Sequence, residues 1–227
     1  MYFDSYYLVL VVPTIILSLW AQIMVKSTFA KYSKIACSRN ITGQDAAAFL
    51  MRMNNIGDVR IEPVGGSLTD HYDPSSKVLR LSQPVYNRTS IAAIGVAAHE
   101  TGHAIQHARS WGPLVLRSAL VPVANVGSSF GPWLAVAGFF FSLPILINIG
   151  IILFGGAVVF YLITLPVEFN ASARAIKILR DNKVLTGEEL AGVRKVLTAA
   201  ALTYVASALT ALMSFLRLIL LSRRRRR

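Results

Sequence analysis

The sequence predicts an α-helical membrane protein with about four transmembrane helices and a small α+β domain. Of its 227 residues, 54% are hydrophobic, a larger share than an ordinary soluble domain carries. Residues 5–25 carry no charge, and neither do residues 118–167. Because a helix needs about 20 apolar residues to cross a bilayer, these runs predict one span and a hairpin of two spans that turns near Pro144 and Asn148. Residues 196–216 predict a fourth span.

Residues 1–37 are expected to form a retained N-terminal anchor. No basic residue precedes the apolar core, and the core is too long for a cleaved signal peptide. Basic residues without any acidic one follow this span: Lys26, Lys31, Lys34 and Arg39. Since basic residues concentrate on the cytoplasmic side of a membrane, we expect the N-terminus outside and the next segment in the cytoplasm.

The net charge of +12 does not indicate a nucleic-acid partner, because the basic residues cluster beside the spans, where they set topology. The expected partner is the lipid bilayer. The single cysteine, Cys37, excludes an internal disulfide and a cysteine-rich zinc site. Residues 196–227 should form a membrane helix and a basic tail. A crossing would place Arg223–Arg227 outside, so the helix either crosses against the charge rule or lies in the interface.

Residues 38–117 are the first polar block. Thr42 can cap a helix with Asp45 in its first turn. Residues 58–64 and 77–82 have the composition of short strands, and residues 67–72 favour a third. A second helix should follow a cap at Thr89 or Ser90. These elements predict a small α+β unit.

Residues 168–195 are the second polar block. They predict two helices, the second opening at Thr186 with Glu189 in the capping-box position. If residues 118–167 form a membrane hairpin, the chain returns to the face that it left. Both polar blocks then lie together on the cytoplasmic side.

Three of the four histidines lie in "AAHETGHAIQHA", residues 97–108. On a helix, His99 and His103 share one face about a turn apart, so both imidazoles can bind one Zn²⁺ ion. Glu100 can reach a water molecule on that ion as general base. His107 lies about 12 Å along the axis from His99, too far to share a tetrahedral ion. We expect it to be structural or to support the site.

A third ligand must come from elsewhere in the chain. Glu168 is favoured, because it follows the uncharged run and begins a helix on the same side as the motif. Glu188 and Glu189 are better explained as charges at a helix start.

The segment "LTDHYD", residues 68–73, is the remaining polar cluster. His71 either stabilises the oxyanion or orients substrate as a catalytic group, or it is a solvated turn histidine. Asp70 and Asp73 are expected to form turns, although either could orient a zinc-binding histidine. The sheet edge here could bind an extended peptide by strand addition.

Three segments, "LTDHYDPSSKVLRLS", "YNRTSIAAIGVAAHETGHAIQHA" and "LPVEFNASARA", resemble the neutral zinc metallopeptidase family of bacterial membrane proteins, the YugP-like group. The likeness covers nearly the whole chain. The His-Glu-x-x-His helix with a downstream glutamate is also similar to membrane peptidases of the HtpX and CAAX-protease type. This implies a zincin-like (gluzincin) catalytic block at residues 38–117, and cytoplasmic helices at residues 168–195 that carry the third zinc ligand.

By that likeness His99 and His103 match the histidine ligands, Glu100 the base and Glu168 the glutamate ligand. Those peptidases commonly carry an aspartate four residues after the ligand glutamate. This chain has Ser172 there, and the nearest amide is Asn170.

The function expected from these features is a zinc endopeptidase in the bacterial inner membrane, with its active site facing the cytoplasm and a peptide or membrane-protein substrate. One alternative is an intramembrane (site-2-type) zinc protease. Against it, charged residues bracket the motif helix and the later spans hold no aspartate. The other is a non-catalytic membrane scaffold that keeps zinc for folding, which would not need Glu100.

Overall fold

The computed structural model describes residues 4–225, with side chains up to Arg224. Arg226 and Arg227 of the predicted basic tail lie outside the described residues. A π-helical turn, Tyr7–Val11, comes first. The elements that follow are α1 (Val12–Tyr32), α2 (Gly43–Met53), β1 (Arg60–Val64), β2 (His71–Asp73), β3 (Val78–Ser82), α3 (Gln83–Tyr86), α4 (Ile91–Ala108), α5 (Gly112–Phe140), α6 (Pro144–Asp181) and α7 (Gly187–Arg225).

Four helices of the described chain are long and apolar enough to cross a membrane: Tyr7–Tyr32, Gly112–Phe140, Pro144–Asp181 and Gly187–Arg224. The mostly helical architecture with about four membrane helices is therefore confirmed. The break between α5 and α6 falls at the predicted turn. α6 continues through residue 168, where we placed a boundary, because the first charge after an apolar run does not by itself end a helix.

The chain divides into two compact units, and the first consists of Met1–Gln22, Val115–Pro166 and Leu202–Arg227. In this unit the guanidinium of Arg217 donates to the carboxylate of Asp4 at 3.0 and 2.6 Å. The hydroxyls of Ser18 and Thr210 are hydrogen-bonded at 3.2 Å. The described parts of α1 and α7 thus run antiparallel beside each other. This pairing favours a crossing α7 over one lying in the interface.

Small residues bring α5 and α6 close together in the same unit. A side chain at Gly127 would collide with the backbone carbonyl of Leu153. A Cβ at Gly131 would lie 2.8 Å from the backbone nitrogen of Phe154. Membrane helices associate through such small residues because no hydrophobic effect drives them together in lipid.

The second unit consists of Ile23–Leu114 and Val167–Ala201. Its sheet has the order β1-β3-β2, with β1 parallel and β2 antiparallel to β3. Apolar side chains of α2, β3, α4, α6 and α7 form its core, among them Leu50, Leu79, Leu81, Ile94, Leu179 and Val193. A small mixed sheet flanked by helices matches the predicted α+β unit.

The helix starts of this unit follow the sequence signals. Thr42 and Asp45 form a capping box at α2, and the Ser90 hydroxyl accepts from the Ala93 N–H at α4. Strand β2 is shorter and later than predicted. Gly66 and Leu68 have positive φ values of 97° and 59°, so the chain turns there rather than extending.

Candidate metal centre

Helix α4 carries the histidine motif through the core of the second unit. Most of the helix is buried. A Cβ at Gly102 would lie 2.6 Å from the carbonyl oxygen of Ala171, so the α4 and α6 backbones are in direct contact at this point. This contact places the next turn of α6 toward its N-terminus, which carries Glu168, against the motif.

The structure brings three predicted ligands together. Oε2 of Glu168 lies 3.2 Å from Nε2 of His99 and 3.5 Å from Nε2 of His103. The two imidazole rings are nearly perpendicular, at 88°, with their centroids 4.8 Å apart. One donor atom from each residue lies within 4.8 Å of the other two.

This donor set fits zinc. Imidazole nitrogen and carboxylate oxygen bind Zn²⁺ at about 2.0–2.2 Å, so neighbouring ligand atoms of a tetrahedral site are roughly 3.3–3.5 Å apart. The two separations from Glu168 Oε2 agree with that spacing. Two neutral imidazoles and one carboxylate also match a catalytic zinc set, which leaves a fourth position for water.

A hydrogen-bond chain orients His103. Arg174 Nε donates to Asn170 Oδ1 at 2.7 Å, which identifies that atom as the amide oxygen. Gln106 Nε2 donates to the same oxygen at 3.0 Å and to the Val167 carbonyl at 2.9 Å. Oε1 of Gln106 therefore accepts from Nδ1 of His103 at 3.0 Å.

This series of hydrogen bonds determines whether the Nε2 atom of His103 faces Glu168 with a proton or with a lone pair. With the proton on Nδ1, the Nε2 atom of a neutral imidazole carries a lone pair. It faces an oxygen of a carboxylate, and two acceptors do not attract each other. A cation between them, either a proton or a metal ion, is required to stabilise this arrangement.

The second histidine is also held at Nδ1 by a side chain. Nδ1 of His99 is hydrogen-bonded to the Ser172 hydroxyl at 3.0 Å, again leaving Nε2 toward Glu168. Ser172, four residues after Glu168, thus contacts one of the predicted ligand histidines.

The electrostatics favour positive charge at this centre. Glu168 is only 2% exposed. Burial alone would lower the pKa of the His103 imidazole, but hydrogen bonding to Glu168 and the charges of Glu100 and Glu168 raise the pKa above its ordinary value. The buried carboxylates of Glu100 and Glu168, which stabilise an added proton, also attract a metal cation.

Glu100 is buried, at 8% exposure. Its carboxylate makes no hydrogen bond or ion pair within the described part of the chain. It follows His99 directly on α4. Its oxygens are therefore available to a water molecule or a substrate group beside the three donors.

The structure does not bring His71 into this group. Its Nδ1 contacts the Thr69 carbonyl at 2.8 Å, and its Nε2 lies 3.4 Å from Arg80 Nη1. Its neighbour Tyr72 contacts α4, and successive strand residues point to opposite faces. His71 is exposed on the other face of the sheet, so the geometry gives its predicted catalytic role no support, and that role stays a prediction.

The two aspartates of this segment hold local structure. Asp70 accepts from the Ser82 N–H at 2.7 Å and from its hydroxyl at 2.8 Å, and burial raises the Asp70 pKa. Asp73 accepts from the Ser75 N–H at 2.9 Å. Its hydrogen bond with the Ser76 hydroxyl leads the interactions that lower the Asp73 pKa to about 2. Asp73 fits the expected turn-forming role, whereas Asp70 links the start of β2 to the end of β3.

His107 lies outside the group of three donors. Its Nδ1 is 2.7 Å from the Tyr72 hydroxyl. Burial raises the pKa of Tyr72 to about 12, so the phenol keeps its proton in this hydrogen bond. This contact joins β2 to α4, which agrees with the structural role expected for His107.

Comparison with known proteins agrees with this chemistry. The model of a family described as "Putative neutral zinc metallopeptidase" matches residues 7–223. The chain belongs to this family. It is 50% identical over 215 residues to a protein described as "Putative membrane protease YugP" from Bacillus subtilis (strain 168), covering 95% of this chain and 96% of that relative. No solved structure matches.

Membership of a zinc metallopeptidase family points to Zn²⁺ as the cofactor and to proteolysis as the activity. The similar Bacillus protein is described as a membrane protease, and the four apolar helices of this chain agree with a bilayer environment.

The sequence patterns did not predict the hydrogen-bond partners behind the histidine motif. Gln106 follows His103 by three residues, a helical spacing at which side chains meet, so its contact could have been predicted. Arg174 follows Asn170 by four residues on α6 in the same way. The contact between Gln106 and Asn170 could not, because it depends on how α4 crosses α6.

Proposed function

We propose that this chain is a membrane-anchored zinc endopeptidase that hydrolyses peptide bonds of proteins or peptides at the cytoplasmic face of the bacterial inner membrane. One observation carries the proposal. His99, His103 and Glu168 each offer one donor atom within 4.8 Å of the other two, and the two separations from Glu168 Oε2 match zinc-ligand spacing. The Nδ1 atoms of both histidines are held by other side chains.

In this proposal His99, His103 and Glu168 hold the zinc ion. When bound, zinc supplies Lewis-acid activation of a water molecule and of the scissile carbonyl. Gln106 and Ser172 keep the imidazoles in the orientation that directs Nε2 to the metal, as second partners of ligand histidines commonly do.

Glu100 is the general base. Its carboxylate accepts a proton from the attacking water and returns it to the nitrogen of the leaving amine. Glu100 is suited to this role because no side chain of the described residues occupies its oxygens. Water attack breaks the C–N bond and leaves a carboxylic acid and an amine, so the atoms balance without a further reactant.

The catalytic block is proposed to be zincin-like, with the motif helix in residues 38–117 and the glutamate ligand in residues 168–195. Residues 1–37, 118–167 and 196–227 supply the anchor, the hairpin and the last membrane helix. The cytoplasmic placement rests on the basic residues that follow the first span, Lys26 among them.

The two alternatives are less well supported. An intramembrane protease would carry its motif on a membrane helix, yet α4 is not among the four candidate spans of the described chain. A zinc-bound scaffold needs the three ligands alone, whereas Glu100 is a buried carboxylate beside them, which costs stability without a functional reason.

The experiment that tests the proposal is metal analysis and proteolysis on the purified protein and its Glu100→Gln variant. The variant is expected to bind zinc at the same stoichiometry and to cleave an unstructured protein at least about 100-fold more slowly, the usual contribution of a general base. Glu188→Gln, an exposed glutamate at the start of α7, serves as the matched control. Undiminished cleavage by Glu100→Gln would exclude the proposed mechanism, and a chain that binds no zinc would exclude the proposed function.

A further inference from the structure

A cavity with a volume of about 220 Å³ lies in the second unit, beside the end of α2 and the last turns of α6. None of the three donor residues lines it. Its lining residues are Met53, Asn54, Arg109, Arg174, Lys177, Ile178, Asp181 and Asn182.

The cavity has an excess of positive charge. Arg109, Arg174 and Lys177 face one acidic residue, Asp181. The carboxylate of Asp181 is shared, because it lies 3.9 Å from Lys177 Nζ and 3.1 Å from Arg180 Nε. The lining therefore presents more cations than it can neutralise.

Asparagine side chains hold both arginines in place, but no carboxylate neutralises their charge. Arg109 Nη2 donates to Asn54 Oδ1 at 3.3 Å, and Arg174 Nε donates to Asn170 Oδ1 at 2.7 Å. In the described part of the chain neither guanidinium pairs with a carboxylate. Each keeps further N–H groups for an anion, in the planar arrangement that matches phosphate oxygens.

A simpler explanation is that these cations only offset the negative C-terminal ends of the nearby helices. Asparagines already satisfy carbonyls at two of those ends. Asn54 Nδ2 donates to the Leu50 carbonyl at 2.9 Å, and Asn182 Nδ2 donates to the Ile178 carbonyl at 2.9 Å. The basic side chains are not used as caps there, so their positive charge remains available to a bound anion.

The position of the cavity along α6 indicates the source of that partner. The uncharged run ends at Val167, and Arg174 and Lys177 follow about 10 and 15 Å further along the helix axis. The headgroup layer extends roughly 5–7 Å beyond the hydrocarbon core. The Arg174 side chain, which turns back toward Asn170, is long enough to reach this layer, and Lys177 lies about 5 Å further along the axis. Met53, which is 53% exposed, and Ile178 give the cavity an apolar wall.

We propose that this cavity binds the phosphate-containing headgroup of an anionic phospholipid. Basic pockets on the cytoplasmic side of membrane helices bind such headgroups. A zwitterionic lipid would add its own ammonium group to a cavity that already has too many cations, so the site should discriminate against it. The proposal is independent of peptidase activity.

The test uses the purified full-length protein in detergent and isothermal titration with three probes: soluble short-chain phosphatidylglycerol, phosphatidylcholine of the same chain length, and inorganic phosphate. We expect saturable binding of phosphatidylglycerol alone. The double variant Arg109→Gln/Lys177→Gln should weaken it about tenfold or more, given the contribution of each basic residue to lipid attraction. Arg174 stays unchanged because it also holds Asn170 of the His103 hydrogen-bond chain.

The matched control is Arg194→Gln, which removes an exposed basic side chain of α7 just before the predicted fourth span but outside the cavity. It should bind phosphatidylglycerol within about twofold of the unmodified protein. If the lipid were attracted only by the net positive charge of the protein, its affinity would fall in both variants in proportion to the charge removed. That result would overturn the proposal.

Three further outcomes would also overturn it: no saturable binding, equal binding of phosphatidylcholine, or equal binding of inorganic phosphate, which would assign the site to a free anion. If the double variant fails to fold by circular dichroism, Lys177→Gln provides the same comparison, because this side chain is 69% exposed.

Discussion

Glu168 is the residue on which the candidate centre depends most. Its Oε2 atom is the closest partner of both imidazole Nε2 atoms, and it is almost fully buried. A carboxylate is stable in such a position only when cations neutralise it. Glu168 therefore supplies the negative charge that would hold zinc. When no cation is present, the same buried charge destabilises the folded state.

We predict that Glu168→Gln reduces zinc affinity by more than about 100-fold. The amide keeps the size of the side chain but loses the charge, and the loss of a direct ligand should exceed the 10–100-fold cost of losing a supporting partner. Competition with a chelator of known affinity measures the change. Glu188→Gln is the control, and full zinc occupancy in Glu168→Gln would remove this residue from the site.

Gln106 is the positioning residue for His103, since its amide oxygen accepts from Nδ1 while its amide nitrogen is fixed by Val167 and Asn170. We predict that Gln106→Leu lowers zinc affinity about 10–100-fold, because the imidazole loses the partner that sets its tautomer. The same chelator competition measures this loss, and nuclear magnetic resonance of the His103 ring nitrogens should show a changed tautomer population.

The control for Gln106→Leu is Thr101→Val. Thr101 is fully buried on the same helix, and its hydroxyl bonds to the Ala97 carbonyl rather than to a ligand histidine. The Thr101→Val substitution should leave the tautomer of His103 unchanged. An equal loss of affinity in both variants would show that Gln106 acts only through the stability of α4.

At the scale of elements, the contact between α4 and α6 creates the site. Gly102 lies inside the motif, between Glu100 and His103, and it is the point at which α6 approaches α4 by its backbone. The motif glycine therefore acts through packing, since it lets Glu168 come within reach of the imidazoles.

We predict that Gly102→Ala destabilises the fold by about 1–3 kcal/mol, the usual cost of overpacking, and also weakens zinc binding. The added methyl group would lie 2.6 Å from the Ala171 carbonyl oxygen, so the helices must separate. Thermal unfolding with and without zinc measures both effects. The control is Gly112→Ala, where no heavy atom lies within 4 Å of the new methyl group, and its stability should equal that of the unmodified protein. A Gly102→Ala variant as stable as this control would contradict the packing argument.

The elements show which features a sequence can predict. Caps at Thr42, Ser90 and Thr186 were predictable, because each is a local hydrogen bond between residues three apart. Strand β2 was misplaced because the positive φ of Leu68 is unusual for that residue type. The contacts of Gln106 with Val167 and Asn170 join residues more than 60 positions apart. They depend on how α4 crosses α6, and no local pattern encodes that geometry.

At the scale of the whole molecule, the topology explains how distant segments form one site. Two candidate spans, α5 and α6, separate His103 from Glu168, so a chain that crosses with both would leave and re-enter the same face between these residues. The ion pair of Asp4 with Arg217 agrees with this arrangement, because it places the N-terminal end of the first span beside the C-terminal part of the last.

This topology predicts which residues can be labelled from outside the cell. With the proposed N-terminus outside, four alternating crossings would place the connection between α5 and α6 outside and the connection between α6 and α7 inside. With buried Cys37 replaced by serine, Phe141→Cys should react with a membrane-impermeant maleimide on intact cells. Glu188→Cys should react only after the membrane is opened. Reaction of Glu188→Cys on intact cells would invert the orientation and place the candidate centre outside, whereas protection of Phe141→Cys would argue against a hairpin that crosses fully.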